Sequence, residues 1–259
     1  MTSQNLLFDI FFQNNHIVSK NLASYLNKPT EKNIHNLRIS IRRLESTYFI
    51  IPKSSKTKSS ERYLKQFKKL FSMNSKIRDY DIIIEKFLEY KFESDSEIIV
   101  LLLNKRDKKL SQIQKLAKKL SKLKTPRFRL TDSIHSKFEK QVLTLINRIE
   151  QYAPIVVEDE SKVDELHYLR KTIKKLCYIL EIEKKDSYQN LISNLKHLQK
   201  TLGKIHDCDI FIWYLEKISD KDQNISSLVN RERYKRSHLY SSLIQEMSEF
   251  SLPERSPDT

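Results

Sequence analysis

"HNLRISIRRL" at residues 35–44 and "HYLRKTIKKL" at residues 167–176 repeat nearly the same pattern 132 residues apart. At about 100° per residue, a helix places the apolar side chains of each segment on one arc. The apolar arc of the first segment consists of Ile34, Leu37, Ile41, Leu44 and Tyr48. The apolar arc of the second segment consists of Leu166, Leu169, Ile173, Leu176 and Leu180. The pattern predicts two amphipathic helices that each bury one face.

The cations of both segments form a stripe beside the apolar arc, not opposite it. The first stripe consists of His35, Arg38 and Arg42, flanked by Arg43. The second stripe consists of His167, Arg170 and Lys174, flanked by Lys171 and Lys175. An ordinary solvated face does not need the same residue types twice, so we interpret both stripes as pointing at one shared polyanion.

A phosphate polymer suits such a stripe because it presents negative charges along a line. Arg can bind two oxygens of one phosphate, Lys acts as a compact point charge, and a protonated His adds another donor. No aromatic side chain lies between the cations within the stripes. This disfavours single-stranded nucleic acid, whose bases usually stack on aromatic rings.

The composition also indicates an anionic partner. The chain has 259 residues with 48 Lys and Arg against 33 Asp and Glu, a net charge of +15. Such an excess destabilises a compact state unless an anion offsets it, which favours nucleic acid, an anionic membrane surface or a phosphate polymer as partner. The single glycine, Gly203, excludes a P-loop or a dinucleotide-binding turn, which need several glycines at fixed spacing.

Other features of the sequence indicate a cytoplasmic protein. Cys177 and Cys208 have no metal-site spacing and give no disulfide framework. The longest apolar run, residues 98–103, is far too short to span a bilayer. The first residues lack the basic start and cleavage pattern of a signal peptide. We expect no membrane association.

Helical periodicity covers most of the chain and predicts an all-α fold. In the first half, we expect helices at about 3–27, 30–50, 59–73, 76–91 and 95–124. In the second half, we expect them at about 131–151, 161–184, 187–202, 205–218 and 222–250. Thr30, followed by Glu31, is expected to start the second helix.

The two halves correspond beyond the basic segments. The stretch FKKLFSMNSKIRDYDIII at 67–84 aligns with LKHLQKTLGKIHDCDIFI at 195–212. We infer an internal duplication with half-repeats at about 1–128 and 129–259. It predicts two pseudo-symmetric antiparallel bundles of about four to five helices each. Asn74 and Gly203 are expected to mark a short break within each aligned stretch.

An Asp-x-Asp segment ends each aligned stretch, with Asp79 and Asp81 in one half and Asp207 and Asp209 in the other. These carboxylates can bind a metal, cap the following helices, or orient the Arg and His side chains of the basic helices. Orientation or capping is the favoured interpretation, and we expect no metal and no cofactor.

Two other functions fit parts of the sequence. His206 and Asp207 form the doublet of a class of metal phosphohydrolases, but the duplicated position holds Arg78, which cannot bind a metal. Nucleic-acid binding fits the net charge but has no groove-reading motif to support it. The basic residues of 104–124, Arg106 among them, form either a solvated face or an outer surface that attracts a polyanion.

The paired segments, His-x-x-Arg-x-x-x-(Arg/Lys)-(Arg/Lys)-Leu followed by (Arg/His)-Asp-x-Asp-Ile, resemble the CHAD family of conserved-histidine α-helical domains. The resemblance covers roughly residues 5–250 and implies one CHAD-like domain over 1–259, with two four-helix bundles facing each other across a basic channel. It also implies binding of inorganic polyphosphate without catalysis, and association with polyphosphate granules. Other phosphate or sulfate polyanions are alternative ligands, with nucleic acid as a nonspecific competitor.

The resemblance implies a ligand set when the family's basic positions are carried onto this sequence. The polyphosphate-binding set is His35, Arg38, Arg42, Arg43, His167, Arg170, Lys171, Lys174, Lys175, Lys68, Lys196, Arg78 and His206. Asp79, Asp81, Asp207 and Asp209 are expected to orient it. The second half departs from the pattern because Lys174 and Lys175 replace Arg42 and Arg43, which loses bidentate contacts there.

Overall fold

A computed structural model describes residues 3–129, 135–183, 185–218 and 223–250, without the side chains of 3–6, 135, 136 and 223. The helices are α1 (Ser3–Asn27), α2 (Glu31–Ile50), α3 (Lys58–Glu89), α4 (Glu97–Leu120), α5 (His135–Glu158), α6 (Val163–Glu183), α7 (Gln189–Ile218) and α8 (Gln223–Ser248). A short 3₁₀ helix, Asp186–Tyr188, precedes α7. These residues include no strand, which confirms the predicted all-α fold.

The helices form two compact units, Met1–Phe138 and Glu139–Thr259. In the first unit, α2 packs on α1 and α3, and α4 packs on α3 and α1. In the second unit, α7 packs on both α6 and α8. None of the helices in the described ranges combines the length and apolar character needed to cross a membrane.

The two basic helices form as the sequence predicts. Thr30 caps α2, and its side chain accepts a hydrogen bond from the Asn33 backbone N–H at 3.2 Å. All ten apolar-arc residues of α2 and α6 are buried, with Tyr48 the most exposed at 8%. The cations beside these arcs therefore lie at the edge of the core.

The breaks predicted near Asn74 and Gly203 are wrong, because α3 and α7 are continuous helices. Asn74 is fully buried inside α3, between the buried Leu70 and Ile77. No proline interrupts either stretch, so the backbone hydrogen-bond ladder and the apolar face continue through both positions. Merging each predicted pair of helices leaves eight helices, not ten, in the described parts of the chain.

The end predicted for the helix at 131–151 is also wrong, because α5 continues through Pro154 to Glu158. Its last turn buries Val156 and is held from α8, where the Tyr240 hydroxyl donates to the carbonyls of Val156 and Val157. This packing stabilises a turn that proline alone disfavours. The predicted start at residue 131 and the start of the last helix at 222 lie outside the described residues.

The C-terminus of α3 uses a lysine where many helices use glycine. Lys91 has a φ of 62°, and its N–H donates to the Leu88 carbonyl, while the Phe92 N–H donates to the Phe87 carbonyl. The Phe87 and Phe92 rings pack with centroids 4.9 Å apart, which completes a Schellman motif. A chain with one glycine thus ends this helix by aromatic packing around a left-handed lysine.

The segment after α4 folds back onto the loop between α2 and α3. The Phe128 ring packs against Phe11 and Tyr48, with centroids 4.8 and 6.2 Å away. The Arg129 N–H donates to the Ser55 carbonyl at 2.9 Å, and the Thr57 hydroxyl donates to the Arg127 carbonyl at 3.0 Å. These contacts hold the loop at residues 51–57 in one conformation.

Gly203→Ala tests the continuity of α7. Gly203 has no positive φ, and a Cβ built on it meets nothing within 4 Å. We expect the substitution to raise the free energy of unfolding by about 0.5–1 kcal/mol, because glycine loses more backbone entropy than alanine in a helix. Urea unfolding followed by circular dichroism measures this change. A lower stability would contradict a continuous helix at this position.

Candidate anion-binding site

The stripe of α2 lies against an aromatic ring from α3. The Arg38 and Arg42 guanidinium carbons lie 4.5 and 4.0 Å from the Phe71 ring centroid. Arg38 Nη1 also donates to the Ser75 hydroxyl at 2.7 Å. Cation–π contact and the hydrogen bond place the two guanidinium groups beside each other on one surface.

As its sequence shows, the α2 segment itself holds no aromatic side chain between its cations, and the ring that they contact belongs to α3. Phe71 is half-buried and comes from the neighbouring helix, so the stripe's own sequence does not reveal it. Its contacts are with guanidinium groups, so here the ring positions cations.

A carboxylate links the stripe to α3. Glu45 Oε2 lies 3.0 Å from Arg42 Nη1, and Glu45 Oε1 lies 3.1 Å from Lys68 Nζ. One glutamate thus binds two cations of the predicted set, one through each carboxylate oxygen. His35 and Arg43, the other predicted members on α2, are exposed.

Arg78 forms contacts with acids, not with this arginine pair. It forms an ion pair with Glu31 at the start of α2, and its Nη2 lies 3.7 Å from Glu85. Two carboxylates therefore match much of its charge, which weakens its case as an anion ligand.

In the second unit, the structure brings together His167 of α6 with His206 and Asp209 of α7. His167 Nε2 lies 2.9 Å from His206 Nδ1 and 3.2 Å from Asp209 Oδ2. The two imidazole rings meet edge to face, with centroids 4.6 Å apart. A proton on His167 Nε2 can be donated to either neighbour.

His206 is neutral at physiological pH in this arrangement. Burial, followed by the charges of Arg170, His167 and Lys174, lowers the pKa of His206 from 6.5 to about 3. Arg170 and Lys174 therefore act electrostatically on His206. His206 therefore serves the free protein as a neutral hydrogen-bonding group.

The remaining predicted cations of the second unit are more exposed. Lys171 is exposed and Lys175 half-buried on α6. On α7, Lys196 is exposed and its Nζ lies 2.8 Å from Glu181 Oε1. Like Lys68 with Glu45, Lys196 pairs with a glutamate of the basic helix that its own helix packs against.

The second aspartate of each Asp-x-Asp segment binds an arginine from the next helix. Arg106 Nε of α4 donates to Asp81 at 2.6 Å, and Arg236 Nε of α8 donates to Asp209 at 2.5 Å. In both pairs the two side chains are 14% exposed or less. These segments lie inside α3 and α7, so the capping interpretation is wrong.

The other interpretation, that the aspartates orient basic side chains, agrees with one contact and one electrostatic interaction. Asp209 binds His167 as well as Arg236. Asp79 is close enough to Arg38 to have its pKa affected, although burial is the larger effect and raises the pKa. Asp207 is half-buried on α7.

The pKa values of the two arginine-bound aspartates are shifted in opposite directions. Burial raises the pKa of Asp81 even though Arg106 opposes the shift. Burial also raises the pKa of Asp209, but the hydrogen bonds from His167 and Arg236 outweigh it, so the pKa lies below its ordinary value. The additional histidine distinguishes the second unit.

A metal ion has one candidate site among the described residues, formed by His167, His206 and Asp209. Their ligand atoms lie within 4.8 Å of one another. Arg236 already binds Asp209, and Arg170 lies near His206, so positive charge opposes a further cation. Hydrogen bonds account for the cluster, and the expectation that no metal binds stays a prediction.

The sequence did not point to Arg236, which also binds Glu160 through Nη1 at 2.6 Å. Arg106 was assigned only to a basic surface. The available signal was spacing, since Arg106 follows Asp81 by 25 residues and Arg236 follows Asp209 by 27. Because no motif surrounds either arginine, spacing alone did not distinguish them from the many other basic residues.

Comparisons with known proteins agree with this architecture. The family model of the CHAD domain matches residues 16–215. The crystal structure of the CHAD domain from the plant Ricinus communis has 13% identity and a TM-score of 0.67, covering 97% of this chain and 93% of that one. PptA from Streptomyces chartreusis has 11% identity and a TM-score of 0.69, covering 95% of this chain and 99% of that one. No curated protein matches the chain. At these identities, the two structures show similarity of fold alone.

Arg106→Gln and Arg236→Gln test the buried ion pairs. We expect each to lower the free energy of unfolding by about 3 kcal/mol, because it removes the arginine that pairs with a buried carboxylate. The depressed folded pKa of Asp209 stabilises the protein above the unfolded pKa, and this stabilisation is lost as pH falls. Urea unfolding at neutral and acidic pH measures both effects, and the acid loss should shrink in Arg236→Gln.

Arg233→Gln is the matched control, because its pair with Glu216 is 59% and 46% exposed. An exposed pair contributes about 0–1 kcal/mol. Equal losses in Arg233→Gln and Arg236→Gln would contradict a special role for the buried pair.

Proposed function

Because the chain belongs to the CHAD domain family, we propose that it binds inorganic polyphosphate through the cationic stripes of α2 and α6, without catalysing a reaction on it. The binding set is the one expected from the sequence, with Arg38, Arg42 and Lys68 central in the first unit. Arg170 and Lys174 are central in the second. Arg78 contributes least, because two carboxylates already bind it.

The arginine pair on Phe71 is the observation that carries this proposal. Arg38 and Arg42 are held side by side on one ring, and the Arg42 side chain is 41% exposed. Two adjacent guanidinium groups suit consecutive phosphate units, since each can donate two parallel hydrogen bonds to one phosphate. Prior positioning by the ring reduces the entropy lost on binding.

The balance of charge along the first stripe supports the same ligand. Glu45 is shared by Arg42 and Lys68, so one carboxylate offsets only part of two cations. His35 and Arg43 add exposed donors on the same helix. Arg42 and Lys68 together therefore carry more positive charge than the one carboxylate that they share, which favours a linear anion.

The second unit supports the proposal with different chemistry. Arg170 and Lys174 lie close enough to His206 to lower its pKa. Bound phosphate would act in the opposite direction, because a nearby anion favours the protonated imidazole. Because burial is the largest cause of the low pKa, His206 stays a neutral hydrogen-bonding group, and Arg170 and Lys174 supply the charge for a bound phosphate.

The arginine-bound aspartates support a role without catalysis. A metal phosphohydrolase needs carboxylates that can bind a cation, whereas Asp81 and Asp209 each bind an arginine. Association with polyphosphate granules stays a prediction of this function.

The double variant Arg38→Ala and Arg170→Ala tests the proposal. We expect each substitution to weaken binding of long-chain polyphosphate about tenfold, because each removes a charge-assisted contact worth about 1.5 kcal/mol or more. The salt dependence should become shallower by about one counterion for each lost contact. Titration calorimetry over a range of salt concentrations measures both quantities.

The matched control is Arg62→Ala with Arg148→Ala, which removes the same charge. Both arginines are exposed, and Arg62 lies nine residues before Phe71, on the opposite side of α3. Duplex DNA and tRNA are titrated in parallel at equal phosphate concentration. Equal losses for polyphosphate and nucleic acid, or for the two double variants, would contradict a dedicated polyphosphate site.

A further inference from the structure

Lysines from three parts of the first unit converge beside the start of α3. Lys56 is half-buried, and its ammonium group lies 4.2 Å from the Tyr48 ring centroid. Lys53, Lys68 and Lys137 are all close enough to lower its pKa. Lys137 lies on α5, but its ammonium group donates to the Ile51 carbonyl of this loop. We therefore call Lys53, Lys56 and Lys137 the loop lysines.

The scaffold under the loop lysines is fixed. Lys137 Nζ donates to the Ile51 carbonyl at 2.8 Å. The Thr57 side chain caps α3 in a reciprocal capping box with Ser60. Together with the bonds from Arg129 and Thr57 that hold residues 51–57, these contacts keep the lysines near one another.

Burial and mutual repulsion both disfavour the charged form of these lysines. Burial is the largest effect that lowers the pKa of Lys56 to about 8, and Lys137, Lys68 and Lys53 add to it. Glu61 acts in the opposite direction on Lys56. Burial and Lys53 also lower the pKa of Lys137. A bound anion would reduce the repulsion among these lysines.

Lys68 connects the loop lysines to the stripe of α2. Through Glu45 it is linked to Arg42, which lies beside Arg38 on Phe71. It also acts electrostatically on Lys56. Cations therefore continue from Arg38 across Lys68 to the far end of α2, beyond the ligand set expected from the sequence.

We propose that the loop lysines form an additional phosphate subsite, which binds further units of the same linear polyphosphate chain that contacts Arg38 and Arg42. The inference rests on the proposed function. A linear polyphosphate suits both places because one flexible chain can follow successive cations. We expect a tripolyphosphate bound at the arginine pair to leave the loop lysines unoccupied.

Lys56→Gln tests this subsite, with Lys20→Gln on α1 as a control that removes an exposed lysine. We expect Lys56→Gln to weaken long-chain polyphosphate about tenfold, as for one lost charge-assisted contact, and to leave tripolyphosphate binding unchanged. Lys20→Gln should change neither. Lys53→Gln, which alters an exposed member of the cluster, should repeat the effect if Lys56→Gln fails to fold.

Proton uptake gives a second readout. At about pH 8.5, just above the Lys56 pKa of about 8, most of the Lys56 side chain is neutral in the free protein. A bound anion raises that pKa, so binding takes up a proton, and the contribution is lost as pH rises through the pKa of the complex. Titration calorimetry in buffers of different ionisation enthalpy should show this uptake with long-chain polyphosphate in the wild type. It should be smaller in Lys56→Gln.

The groups facing Lys56 that enter this balance are Tyr48 from α2, Glu61 and Lys68 from α3, Lys53 from the loop and Lys137 from α5. If long-chain polyphosphate binds through Arg38 but Lys56→Gln changes neither affinity nor proton uptake, the subsite is wrong and the proposed function stands. If wild-type protein binds no polyphosphate, the proposed function itself fails.

Discussion

A buried arginine–aspartate pair joins α3 to α4 in the first unit and α7 to α8 in the second. Arg106 binds Asp81, and Arg236 binds Asp209, in both cases through Nε. A buried carboxylate is stable only with a partner, so each pair fixes the register between its two helices. Each pair also offsets the charge of an aspartate on α3 or α7, the helices that pack against the basic helices α2 and α6. In the second unit the same aspartate, Asp209, also binds His167 of α6, so the pair connects three helices.

The two units arrange similar cations with different support. Phe71, beneath the arginine pair of α2, aligns in sequence with Gln199, and Arg42 aligns with Lys174. The two differences are consistent with each other, because guanidinium stacks on an aromatic ring better than ammonium does. The second unit instead places His167 against His206. One surface is thus built on arginines stacked on a ring, and the other includes a hydrogen-bonded histidine pair.

The helical fold was largely predictable from the sequence, and the errors in that prediction have one physical origin. Helical periodicity identified the buried arcs of α2 and α6, and burial confirms each position. The false breaks at Asn74 and Gly203 came from treating local turn preference as decisive. The same holds for Pro154, where packing of Val156 and hydrogen bonds from Tyr240 sustain a turn that the local sequence disfavours. Tertiary packing outweighs a weak local preference.

The sequence by itself determined which faces of α2 and α6 are buried and where their cations lie, because periodicity is a property of one continuous segment. It also excluded a glycine-based phosphate cradle. Only the tertiary structure decided that Arg38 meets α3, that His206 meets His167 and that Arg236 reaches Asp209. These contacts join residues 27 to 39 positions apart. They depend on how whole helices pack against one another, and no local pattern in the chain encodes that packing.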